Sequence, residues 1–82
     1  MAMNMQRERI LEALSLAERH IGAGECQLRL QRQVIAELHR GGHDAADAEV
    51  LLRSNEQTQK LHFADRSRLL RELAASSGQQ QA

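Results

Sequence analysis

Hydrophobic residues recur at every third or fourth position along most of the chain, which is the spacing of an apolar stripe on an α-helix. Before Gly41 one seam of positions, apolar except at Gly24 and Gln31, alternates in steps of four and three. Its members are Ile10, Leu14, Ala17, Ile21, Gly24, Leu28, Gln31, Ile35 and Leu38. This alternation is typical of helices that pack as coiled coils. It predicts one helix over about residues 4–40, about 55 Å long at 1.5 Å per residue.

The same alternation continues after Gly42, in a second seam whose middle is polar. Its members are Ala48, Leu52, Asn55, Gln59, His62, Arg66, Leu69 and Leu73. The chain has no proline, so nothing in its composition forbids a long second helix. We expect this helix over about residues 44–75, followed by a disordered tail over residues 76–82.

Between the seams, Gly41 and Gly42 can end a helix, and Asp44 can cap the next one. The sequence therefore predicts a turn at residues 41–43 and an all-α fold, a long antiparallel two-helix hairpin that forms a single helical domain over residues 1–82. If the chain turns near Gly42, facing residues have numbers that sum to about 85. The rule places several opposite charges across from each other, but it also places the like-charged Arg32 opposite Arg53 and Glu37 opposite Glu49. The oppositely charged pairs are Arg29 with Glu56, Glu25 with Lys60, Glu18 with Arg66, and Glu12 with Arg71.

The glycines at positions 22 and 24 leave two structures open. They either break the first helix, which gives a three-helix bundle, or lie inside a continuous helix and let another backbone approach at Gly24. The seam keeps its phase through Ile21, Gly24 and Leu28, which favours continuity. A dinucleotide-binding loop is disfavoured, since a third glycine and a preceding strand are missing.

Further apolar residues flank both seams, so a single partner helix cannot cover the apolar surface. We expect two hairpins to associate as a homodimeric four-helix bundle, although another protein is also a possible partner. The predicted oligomer interface comprises Leu14, Leu16, Ile21, Gly24, Leu28, Leu30, Ile35, Leu52, Phe63, Leu69 and Leu70.

Composition narrows the function classes. The 82 residues carry 11 basic and 11 acidic side chains, and this balance disfavours a nucleic-acid-binding protein. No apolar run is long enough to cross a membrane, and the single cysteine, Cys26, excludes an intrachain disulfide. We expect a cytoplasmic protein with no cofactor and no membrane contact.

The histidines are the only candidates for chemistry. His20 and His62, with Asp65 as a possible hydrogen-bond partner of His20, would make a minor metal or ligand site, but a polar pair that specifies helix register is the better interpretation. The glycine turn separates His39 from His43, so their spacing does not indicate a metal site. Cys26 has no histidine at an obvious catalytic position, although His62 could come within a few turns of it across the hairpin, and it is interpreted as a packing residue.

The stretch from His20 to Leu73 resembles a family of short uncharacterised bacterial proteins, predicted helical. The shared segments are Gly24-Glu25, Gln31-Arg32, Gly42-His43-Asp44, Leu51-Leu52, Glu56-x-Thr58-Gln59, Leu61-His62, Ala64-Asp65-Arg66 and Arg68-Leu69-Leu70. Asn55 departs from the pattern, where a large apolar residue is expected, and so does Cys26, where a basic residue is expected. The resemblance implies a helical-hairpin fold and no particular activity. The plasmid repressor of primer protein is similar in expected architecture alone.

From the sequence we therefore expect a non-enzymatic protein-interaction or small regulatory module that acts as a homodimeric helical bundle. The alternatives are a nucleic-acid-binding hairpin and the minor metal or ligand site at His20, His62 and Asp65.

Overall fold

The computed structural model contains two α-helices, α1 (Ala2–Arg40) and α2 (Ala46–Gln81), which pack against each other as an antiparallel hairpin. The structure describes the backbone over residues 2–81 and the side chains over residues 5–76. The hairpin is a rod with Cα extents of 63 × 14 × 14 Å. The all-α hairpin fold is therefore confirmed, while its assembly into a four-helix bundle stays a prediction. The backbone of α2 continues as helix to Gln81, six residues beyond the end expected near residue 75, so the tail expected over residues 76–82 is helical up to Gln81, and residue 82 lies outside the described residues.

Helix α1 continues through Gly22 and Gly24 without a break, so the three-helix alternative is wrong. The continuity follows from the seam, because every member of it from Ile10 to Leu38 is buried or half-buried against α2. This burial offsets the helix-propensity cost of about 1 kcal/mol for each glycine. Within the described part of the chain, neither helix has a stretch apolar enough to span a bilayer.

The chain reverses in a Schellman motif at the end of α1. The N–H of Gly42 donates to the carbonyl of His39 (3.1 Å), and the N–H of His43 donates to the carbonyl of Leu38 (2.9 Å). Gly42 has a φ of 72°, a left-handed conformation that other residues adopt at a cost. This glycine therefore fixes the single turn on which the hairpin depends.

Helix α2 starts two residues later than the expected position 44. The carbonyl of Ala45 accepts the first helical hydrogen bond, from the N–H of Glu49 (2.9 Å), and Asp44 Oδ1 accepts from the N–H of Ala46 (2.9 Å). Asp44 thus caps the first turn from just outside the helix, as its carboxylate satisfies an N–H that has no helical partner.

The apolar core is small and lies towards the open end of the hairpin. Ile10, Ala17 and Leu69 form its centre, and Leu14 and Leu73 pack against it with part of their surface exposed. No side chain with a described position is less than 2% exposed. In a hairpin this thin, every apolar side chain lies near water, so the fold buries little apolar surface for the length of its chain.

Candidate functional site

The middle of the helix seam is a polar layer centred on Gln59, which is only 6% exposed. Gln59 Nε2 donates to the backbone carbonyl of Ile21 (2.9 Å). The amide can reach that carbonyl because residue 24 is glycine: a Cβ there would overlap Gln59 Oε1 and lie 2.8 Å from its Cδ. The side-chain amide of Gln59 therefore fills the space that a side chain at position 24 would occupy. This contact fixes the register of α1 against α2.

Two histidines extend this layer towards one side of the hairpin. The ring centroids of His20 and His62 are 5.3 Å apart, and their planes are tilted by 33°. His62 Nδ1 lies 3.3 Å from Gln59 Oε1. Since Gln59 already donates through Nε2, its Oε1 acts as the acceptor, and His62 carries a proton on Nδ1. The lone pair of neutral His62 is then on Nε2.

The expected third member of this group, Asp65, is engaged elsewhere. Its Oδ1 accepts a hydrogen bond from Arg68 Nη2 (2.6 Å), and Arg68 also donates to Glu72. Hydrogen bonds to Asp65 and Glu72, together with their charges, raise the pKa of the exposed Arg68 guanidinium above its ordinary value. The structure therefore brings His20 and His62 together and places Asp65 in a separate surface cluster.

For the predicted metal site, the structure brings together two candidate imidazole ligands, His20 and His62. A structural zinc site takes four protein ligands and a catalytic site three. Among the described residues, no group of three or more His, Cys, Asp or Glu side chains is placed to hold a metal ion. Cys26 is exposed.

Next to the polar layer, two amide side chains of the seam have buried atoms without a hydrogen-bond partner. They are the Oε1 of Gln31 and the Nδ2 of Asn55. A buried polar atom without a partner costs about 1–3 kcal/mol. These two atoms therefore reduce the stability that the mid-seam contacts give to a single hairpin.

An ion pair and a histidine–carboxylate contact join the two helices along one long face of the hairpin, which we call the ion-paired face. Arg32 Nη2 lies 3.1 Å from Glu56 Oε2, and His39 Nε2 lies 3.2 Å from Glu49 Oε1. The residues of this face at helical spacing are Leu11, Glu18, Glu25, Arg32, His39, Glu49, Glu56, Phe63 and Leu70.

The numbering rule that predicted the charge pairs is right in one case and wrong in another. Arg66 Nε donates to Glu18 Oε1 (3.3 Å), as expected. Glu56 pairs with Arg32 and not with Arg29. Arg29 lies one step further round α1, away from the edge of the seam, so its side chain faces outward. The like-charged contact expected between Arg32 and Arg53 is avoided in the same way.

The opposite long face, the uncharged face, has a different composition. Two neighbouring grooves between the helices open on it and share Gln27: the first includes His20, Ala23 and Thr58, and the second includes Leu30, Val34 and Leu51. Helical spacing gives its members as Ala13, Leu16, His20, Ala23, Gln27, Leu30, Val34, Leu51, Ser54, Thr58 and Leu61. None of these members is Lys, Arg, Asp or Glu, although the same helical rows continue into Arg9 and Glu37 on α1 and into Asp47, Asp65, Arg68 and Glu72 on α2.

The predicted interface residues divide among these regions. The seam inside one hairpin holds Leu14, Ile21, Gly24, Leu28, Ile35, Leu52 and Leu69, which are buried or half-buried there. Leu16 and Leu30 lie on the uncharged face, whereas Phe63 and Leu70 lie on the ion-paired face, all of them exposed. Val34, Leu51 and Leu61 are also exposed on the uncharged face, and they were not among the predicted interface residues.

Comparison with known proteins adds no relative from which a function could be transferred. Neither a scan against protein-family models nor searches of curated proteins and solved structures finds a match for this chain. The resemblance to short bacterial helical proteins therefore stays a prediction.

Proposed function

We propose that this chain is a non-enzymatic protein-interaction or small regulatory module that acts as a homodimeric helical bundle. The observation that carries the proposal is the amount of apolar surface that one hairpin leaves in water. Exposed large side chains include Leu16, Leu30, Val34, Leu51 and Leu61 on one face alone. Large apolar side chains exposed together along one face are typical of a site of protein association.

Stability supports the same proposal. The described core is a thin line of side chains, with Ile21, Leu28 and the small Ala17 among its buried members. A chain of this size normally needs a staple or a partner to exceed a few kcal/mol of folding stability. The single cysteine cannot form a disulfide within one chain, so a partner chain is the remaining means.

Charge favours a protein partner over a nucleic acid. Arg32, Arg66 and Arg68 each bind a carboxylate of the same chain, which neutralises three of the 11 basic side chains that could contact phosphates. The net charge of zero points the same way.

Multi-angle light scattering on the purified chain tests the proposal. At micromolar concentration the expected mass is twice the 9.2 kDa of one chain. A mass of 9.2 kDa up to high micromolar concentration would contradict it, and so would a mass well above that of a dimer.

A further inference from the structure

The two long faces of the hairpin differ in how well the chain covers its own apolar side chains. On the ion-paired face, Leu11, Phe63 and Leu70 are 40% to 43% exposed. On the uncharged face, the large apolar side chains, from Leu16 to Leu61, are 47% to 69% exposed. Apolar surface that no part of the chain covers is therefore concentrated on the uncharged face.

The distribution of charge also favours docking on the uncharged face. Arg32, Glu56 and Glu49 hold charges at the rim of the ion-paired face, and docking a partner there would remove these charges from water. Desolvating such groups opposes association. The members of the uncharged face bring no charged side chain into such a contact, and the nearest ion pairs on the same rows of α2, those of Arg68 with Asp65 and Glu72, lie beyond Leu61.

The size of the uncharged face is close to the lower limit for a specific dimer. Its strip on α1 is about 32 Å long and its strip on α2 about 15 Å, each about 10 Å wide. Two copies would together bury roughly 900–1,000 Å², which approaches the area of about 1,000 Å² that a specific interface needs.

We propose that the second copy of this chain docks on the uncharged face, so that the uncharged faces of two hairpins meet and both ion-paired faces remain in solvent. This inference rests on the proposed homodimer and adds the location of its interface. A surface without charge is best matched by another surface without charge, and the chain supplies one at equal concentration. A single helix of another protein laid in the grooves would cover less of this area than a second hairpin does.

The test uses two leucine-to-glutamate variants in the same helix, one on each face. Leu30→Glu places a carboxylate on the uncharged face, and Leu11→Glu places one on the ion-paired face. Glutamate has a helix propensity close to that of leucine, so neither change is expected to reduce helix formation directly. We expect Leu30→Glu to weaken dimerisation on the order of 100-fold or more, because each dimer would bury two unpaired charges. Leu11→Glu is expected to leave the dimer mass unchanged.

The outcomes separate this inference from the proposed function. A wild-type chain that is monomeric overturns both. A dimer that survives Leu30→Glu but dissociates with Leu11→Glu overturns the location of the interface and leaves the homodimer standing. A helical monomer with Leu30→Glu, beside a dimer with Leu11→Glu, supports the inference.

A second measurement decides the matter if Leu30→Glu fails to fold. In a Cys26→Ser background, a single thiol is introduced by Ala23→Cys on the uncharged face or by Gln33→Cys on the outer surface of α1. The rate of alkylation is then measured over a range of protein concentrations. We expect the rate at position 23 to fall at least tenfold as the dimer forms, while the rate at position 33 stays constant. An unchanged rate at position 23 in a dimeric protein overturns the inference.

Discussion

Gly24→Ala offers a sharp test of the packing in the middle of the hairpin. A methyl group at position 24 would overlap the side-chain amide of Gln59, so this amide would have to leave its site. Its hydrogen bond to the carbonyl of Ile21 would be lost with it. The lost bond and the displaced buried amide together cost about 2–3 kcal/mol. Alanine recovers about 1 kcal/mol of helix propensity, which leaves a net loss of about 1–2 kcal/mol.

Gly22→Ala is the matched control, because no atom outside the local helix lies within 4 Å of a Cβ at Gly22. The same substitution two residues away should stabilise the protein by about 0.5–1 kcal/mol. Urea unfolding followed by circular dichroism at 222 nm measures both free energies, at one fixed protein concentration.

A double-mutant cycle identifies the cause. In a Gln59→Ala background the clash is absent, so Gly24→Ala should become stabilising by up to about 1 kcal/mol. If Gly24→Ala were destabilising to the same extent in both backgrounds, steric overlap with the amide of Gln59 would be refuted as the cause.

Three further predictions concern other parts of the hairpin. Asn55→Leu removes a buried donor without a partner and should raise the free energy of unfolding by about 1–2 kcal/mol; a decrease would show that the amide is satisfied in solution. Gly42→Ala forces a left-handed φ on a residue with a Cβ and should cost about 1–2 kcal/mol, with Gly42→Asn less harmful, and equal stabilities of the two variants would count against the turn geometry. A double-mutant cycle on the exposed pair of Arg32 and Glu56 should give a coupling of at most about 1 kcal/mol that shrinks in 1 M salt, whereas a salt-independent coupling would argue for burial of the pair.

The sequence predicts the hairpin well because its two determinants are local. The unbroken seam through Ile21, Gly24 and Leu28 specifies a continuous helix, and the turn needs only Gly42 with its neighbours. The start of α2 was missed by two residues, since Asp44 caps it from outside the helix. Single charge pairs were harder to predict: a shift of one helical position decides whether Glu56 meets Arg29 or Arg32.

The candidate site was less predictable, because its contacts depend on side-chain conformations across the seam. The proximity of His20 to His62 and the insertion of Gln59 beside Gly24 follow from the exact stagger of the helices, which a numbering rule gives only to within a turn. The partner of Asp65 was missed for another reason: Arg68, three residues away on the same helix, is closer than any residue across the hairpin. Short-range pairs on one helix compete with the long-range pairs that a facing rule anticipates.

The dependence of the melting temperature on protein concentration tests most directly whether a second copy completes this fold. For a folded dimer that melts to two unfolded chains, an unfolding enthalpy of about 0.7 kcal/mol per residue gives a rise of about 9 °C over a hundredfold increase in concentration. The account predicts a rise of this size. A melting temperature that is the same at both ends of this range would show that one hairpin folds alone, and it would contradict the account.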